Sequence, residues 1–407
     1  MRPPELQIKV TEKDYADFYD AGLYLDAMRR LVARLAYAKL AHGKEHVEVV
    51  KAQLTVAKAY LELQELPKQA LQHTAEAYKL FTALKRGKQL AANPISRMLL
   101  EAELLAVLGV CHCRLGKTTA ELAVAEQHLR HAVVTYSQVP GRRDHALEQQ
   151  VTRGMGEVCA KQRKFAMTAE YLRHAVQLVS KANGPDDHEL IGLYQQLGAA
   201  ESHLDHESAV SESFTKARKL VEAQHGPSSI ERAETSVVHA KALMRLGTEG
   251  SAEVELSKAL VIYLGHIGEP AAGAGPTAEL MTGGDAEDYR EVTPYELRVL
   301  QIQDELAGVL IRSERYKPAV QLLKNLLASK CRAFGSASLA VAKGHRLFGN
   351  VRLAQGKLNF GIKHLRQAER IFKKELGSNH AKTKAVQQTL LALGDGPAES
   401  APKKWHK

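Results

Sequence analysis

The chain has 407 residues, of which 45% are hydrophobic, 25% charged and only 5% aromatic, a soluble-chain balance weighted toward helix formers and away from strand-forming aromatics. Its formal net charge of +10 suits acidic partners, but the lack of aromatics interleaved with basic residues, and of any nucleic-acid module, argues against nucleic acid. Cys111, Cys113, Cys159 and Cys331 do not make a disulfide framework, no apolar run is long enough for a membrane span, and residues 1–10 are too polar to begin a signal peptide, so a reducing cytoplasmic setting is expected.

In chain order, residues 1–14 read as an N-terminal lead and residues 15–41 as a degenerate first helix pair. A second pair covers 47–84, with Leu54, Ala57, Tyr60, Ala70 and Ala77 on its apolar faces. A third covers 95–136, carrying Gly109, Gly116, Leu129 and Ala132. From there the repeat becomes regular. The loop at Gly184-Pro185 resembles that at Gly226-Pro227, and the loop at Gly335-Ser336 resembles that at Gly377-Ser378; each pair of glycines is 42 residues apart. The interval from Gly226 to Gly335 holds two such periods and 25 further residues. Those extra residues fall in 265–292, which is rich in Gly and Pro, lacks apolar periodicity and reads as a mobile insertion loop. Two further pairs and a capping helix fill 293–393, and a basic tail occupies 394–407. Residues 15–264 would thus hold about six helix pairs.

Within the regular units, small residues recur at spacings of 12 and then 7: Gly156/Thr168/Ala175, Gly198/Val210/Ala217, Ala240/Ala252/Ala259, Ala307/Ala319/Leu326 and Gly349/Gly361/Ala368. Four residues before the last of each triplet stands Leu172, Phe214, Leu256, Leu323 or Leu365. Antiparallel helices approach closely only where side chains are small, and the large apolar residue is expected to fill the gap between one pair and the next. A lone helix pair cannot bury its own apolar face, so the units must stack. This spacing resembles the tetratricopeptide repeat, lengthened from its usual period of about 34 residues. The expected fold is all-α, a right-handed solenoid of tetratricopeptide-like helix pairs with a roughly 42-residue period.

Several local patterns imitate chemistry. Gly116-Lys117-Thr118 looks like the end of a phosphate-binding loop, but Cys111 stands where the first glycine belongs and a helix, not a strand, precedes it. Cys111 and Cys113 are two apart on a helix and point to different sides, and His128 and His131 have no second ligand pair at zinc spacing. His42/His46 and His203/His206 read as polar loop or surface residues. No nucleophile triad or Gly-rich cofactor loop stands out. The expectation is no enzyme, no cofactor and no metal; a nucleotide-binding protein or enzyme is the alternative from another class.

Two stretches resemble a particular group, the ciliary tetratricopeptide-repeat protein 23 family with its 23-like relatives. The first is residues 43–77, with its Gly-x-x-His, Ala-x-Leu, Ala-Tyr-Leu-x-Leu and Leu-x-x-Gln-Ala elements; the second is residues 302–391, with IQDELAGVL, AFGSAS and RLFGNVRLAQGKL. The resemblance implies a non-enzymatic ciliary adaptor linked to Hedgehog-type signalling complexes, or alternatively a structural microtubule-associated component of the axoneme. In such arrays the first helix of each pair lines the concave surface. Five residues after the first small residue of each triplet come Lys161, His203, Arg245, Arg312 and Ala354, with Arg153 and Arg346 flanking the column. These cations are the expected groove for a partner's acidic segment.

Overall fold

The computed structural model describes residues 3–87, 93–140, 145–267 and 292–394. They form seventeen α-helices without a strand, and the chain divides into two compact units, Met1–Leu204 and Asp205–Lys407. Most of the expected 265–292 insertion, residues 268–291, and all but Gly394 of the expected tail lie outside the described residues.

The first unit contains α1 (Pro4–Asp20), α2 (Tyr24–His42), α3 (Val47–Glu62), α4 (Pro67–Arg86), α5 (Pro94–Leu115), α6 (Thr119–Ser137), α7 (His145–Lys161), α8 (Phe165–Asn183) and α9 (Glu189–Glu201). The second contains α10 (Glu207–His225), α11 (Ile230–Arg245), α12 (Glu249–Gly265), α13 (Pro294–Arg312), α14 (Tyr316–Phe334), α15 (Leu339–Ala354), α16 (Leu358–Leu376) and α17 (Ala381–Ala392). The segment expected as a lead is helical from Pro4: proline occupies the first turn, where its missing N–H costs nothing, and the buried Thr11 hydroxyl donates to the Gln7 and Ile8 carbonyls of the same helix.

Local sequence sets the helix ends. Pro67, Pro94 and Pro294 each open a helix, and the side chains of Asn93, Ser229 and Ser338 accept from backbone N–H groups of the first turn. Gly335 and Gly377 end α14 and α16 at φ of 77° and 85°, a left-handed conformation that a side chain would strain.

The small-residue columns sit where helices touch. A Cβ on Gly349 would lie 2.8 Å from Leu365 Cγ, and one on Gly109 would lie 2.5 Å from Leu129 Cγ. The large apolar residue therefore packs within its own helix pair, rather than only filling the gap to the next one. Leu129 does both, since a Cβ on Gly154 of α7 would also meet its Cδ2 at 3.0 Å. Branched Leu is long enough to cover one glycine and abut the next.

Candidate partner-binding surface

In the first unit, the expected groove cations act on the ends of helices. Lys161, the last residue of α7, donates through Nζ to the carbonyl oxygens of Cys113 and Arg114, which close α5. Arg114 itself donates through Nη1 to the Leu61 carbonyl near the end of α3, at 2.9 Å. Arg114 stands five residues after Gly109, the register of the cationic column, but the irregularity of the early repeats hides it in the sequence. The last carbonyls of a helix lack partners and carry its negative pole, so a cation there is both hydrogen-bonded and electrostatically favoured. Arg153 pairs with Glu189 at 3.2 Å. His203 lies flat on Phe165, with ring centroids 3.7 Å apart.

In the second unit, Arg312 Nε reaches Glu249 Oε1 at 3.2 Å. Arg245 and Arg346 are exposed and have no ion pair among the described residues, and Ala354 is exposed at the end of α15. The structure thus places the column at first-helix ends and consumes Arg153, Lys161 and Arg312 in internal contacts.

The residues that imitate chemistry have structural roles. The Thr118 side chain and Glu121 form a reciprocal cap at the start of α6, so Gly116-Lys117-Thr118 is an inter-helix turn. Burial pushes the Cys111 and Cys113 thiols up to about 12, the reverse of what a metal thiolate needs. No group of three or more potential ligands converges among the described residues. His46 Nδ1 accepts from the Glu48 N–H at the start of α3 and its ring stacks on His42.

One feature escaped the sequence. Arg232, buried at the start of α11, bonds Glu222 and the hydroxyl of Ser236, which donates to Glu255 at 2.9 Å. Burial alone would raise the Glu255 carboxyl, but its hydrogen bonds from Lys258 and Ser236 win and hold it below the usual range. An open cleft of roughly 750 Å³, lined by Pro227, Val254, Val261 and Ile262 among others, lies beside this network. The charged residues at its edge have internal partners: Glu222 with Arg232, Glu253 with Arg315 and Lys258 with Glu255. A sequence pattern of isolated charges inside a helical period gives no sign of such a network.

Comparison with known proteins agrees with this fold. The chain is 23% identical over 406 residues to tetratricopeptide repeat protein 23 of Homo sapiens, covering 97% of this chain and 83% of the relative. It is also 23% identical over 396 residues to the 23-like protein of Mus musculus, covering 96% and 80%. No family model matches. Among solved structures, the apo form of RapI superposes with a TM-score of 0.53 at 11% identity, over 84% of this chain and 87% of that one. The chain thus resembles tetratricopeptide repeat protein 23 along nearly its whole length and has a tetratricopeptide-like fold.

Proposed function

We propose that this chain is a non-enzymatic protein–protein interaction scaffold of the cilium, working in Hedgehog-type signalling complexes at the ciliary base. The observation that carries the reading is the end-to-end similarity to tetratricopeptide repeat protein 23, together with two units made wholly, among the described residues, of packed helices. Stacked helix pairs offer long, rigid faces, which suits the chain to holding other polypeptides. Its partners present acidic segments, matching the net charge of +10. Exposed Arg245 and Arg346 are the members of the expected groove left available for such a segment.

The same charge supports a second reading, a structural component lying on acidic microtubule surfaces of the axoneme. A tagged full-length copy in ciliated cells separates them. A signalling adaptor concentrates at the ciliary base and leaves with detergent; an axonemal component spreads along the shaft and resists detergent, leaving only in high salt. Uniform cytoplasmic distribution overturns both.

A further inference from the structure

Charge is unevenly distributed along the second unit. From α10 to Arg315, just before α14, many cations meet acids: Lys216 with Glu212, Lys241 with Glu305, Arg298 with Glu234, Arg312 with Glu249 and Arg315 with Glu253. Beyond that the acids run out. Residues 316–394 contain fifteen Lys and Arg against two Asp and Glu, a net +13, which exceeds the +10 of the entire chain.

Helix geometry collects these cations on outward faces. In α16, Gly361, Leu365, Ala368 and Phe372 are buried, so at 100° per residue the opposite side presents Lys363, Arg370 and Lys374, all exposed. In α14, Ala319, Leu323, Leu326 and Lys330 are buried, and the opposite side presents Lys317, Lys324 and Arg332, also exposed. The two acids of the region do little to offset them. Glu369 accepts from Gln387, and Glu375 lies 4.0 Å from Lys374. Like charges one turn apart, as at Arg370 and Lys374, repel each other and weaken a helix. A free chain bears that repulsion; a bound anion would relieve it.

We infer that the outward faces of α14 and α16 are the docking surface for an acidic, extended polypeptide segment of a partner protein. This rests on the protein-binding reading above and names the surface and the partner chemistry. Three observations select the occupant. The cationic rows carry no large apolar anchor: Gln321 and Ala328 stand between the cations of α14, whereas peripheral membrane helices insert such anchors. No aromatic interrupts the rows for base stacking, since exposed Phe360 lies to one side of the α16 row. Finally, Lys363 to Lys374 spans about 16 Å of helix, the length of about five extended residues, so a short run of Asp or Glu can align with it.

The test uses the full-length chain and a fluorescently labelled deca-glutamate peptide, with phosphatidylserine vesicles and a 20-base-pair duplex as competing probes. The peptide is expected to bind, to weaken steeply as salt rises, and to lose at least about tenfold in affinity in Lys363→Glu/Arg370→Glu/Lys374→Glu. A second variant, Lys317→Glu/Lys324→Glu/Arg332→Glu, is expected to act likewise. Lys68→Glu/Lys79→Glu on exposed positions of α4 leaves binding unchanged. Circular dichroism confirms that each variant is folded. Absence of peptide binding, peptide binding by both triple variants as tight as by the unaltered chain, or tighter binding of vesicles or duplex through these residues overturns the inference. Partner capture in cells that survives both triple variants overturns it too while leaving the scaffold reading intact; capture of no partner by the unaltered chain sinks that reading instead.

Discussion

Arg114 of α5 reaches back across the first unit to the Leu61 carbonyl at the end of α3, 2.9 Å away, and Lys161 of α7 does the same to the carbonyls of Cys113 and Arg114. Successive first helices are thus tied end to end by cations on carbonyls. Arg114→Ala is expected to lower stability by about 1 kcal/mol, the net worth of one partly exposed hydrogen bond, and Arg114→Lys to recover part of it. Urea denaturation checks this; an unchanged midpoint in both variants means the contact contributes nothing.

Gly349 and Gly192 make opposite predictions from the same substitution chemistry. Side-chain atoms at Gly349 collide with Leu365 and with the backbone of Gly361, so Gly349→Leu should cost about 1–3 kcal/mol by overpacking. Gly192 faces open space within α9, so Gly192→Ala should stabilise by up to about 1 kcal/mol. Melting curves that move together, in either direction, would contradict the packing described.

These contrasts show what the sequence made legible. The 12-and-7 spacing located the helix contacts because close approach favours small side chains, mostly Gly and Ala, and that preference is written in residue identity. The positive-φ glycines marked the helix ends for the same reason. The candidate groove was less legible. Position along a helix was readable, but whether Lys161 or Arg312 faces solvent or a neighbour depends on what lies across from it. Lys161 finds carbonyls and Arg312 finds Glu249, and neither contact has a periodicity. Helix from Pro4 onward was missed because its apolar positions, such as Leu6 and Ile8, are sparse and partly exposed.

The pair His345 and His364, with Nδ1 atoms 2.9 Å apart, predicts an acid-sensitive last repeat. Burial, then His345, Lys363 and Arg352, lowers the His364 imidazole to about 4, and burial lowers His345 as well. An unfolded histidine titrates near 6.5. Between these values the unfolded chain binds more protons, so this contribution is complete above about pH 6.5 and is lost as pH falls toward 4. His364→Gln should shrink the fall in Tm between pH 7.5 and 4.5. The shrinkage is partial, because His73, His112, His128 and His239 are lowered too. An identical fall in the variant contradicts the assignment.

Thiol labelling should discriminate the four cysteines. Cys111, Cys113 and Cys159 are buried and Cys331 only partly so, and burial raises every one of their thiols above the ordinary value. At neutral pH the folded chain should therefore label slowly and first at Cys331, and the other three should react only on unfolding. Fast native labelling at Cys111 or Cys113, read by peptide mass, would mean that α5 is not buried as described.

The central claim is that this chain works by holding other proteins. Its most direct test is the native size of the tagged full-length chain extracted from ciliated cells at low salt, followed by cross-linking and mass spectrometry. The account predicts recovery in an assembly well above the 44.7 kDa of the chain alone, containing a partner at near-equal abundance whose acidic segment cross-links to the repeats. Elution as an isolated monomer, with no reproducible cross-link to any other polypeptide, would contradict it.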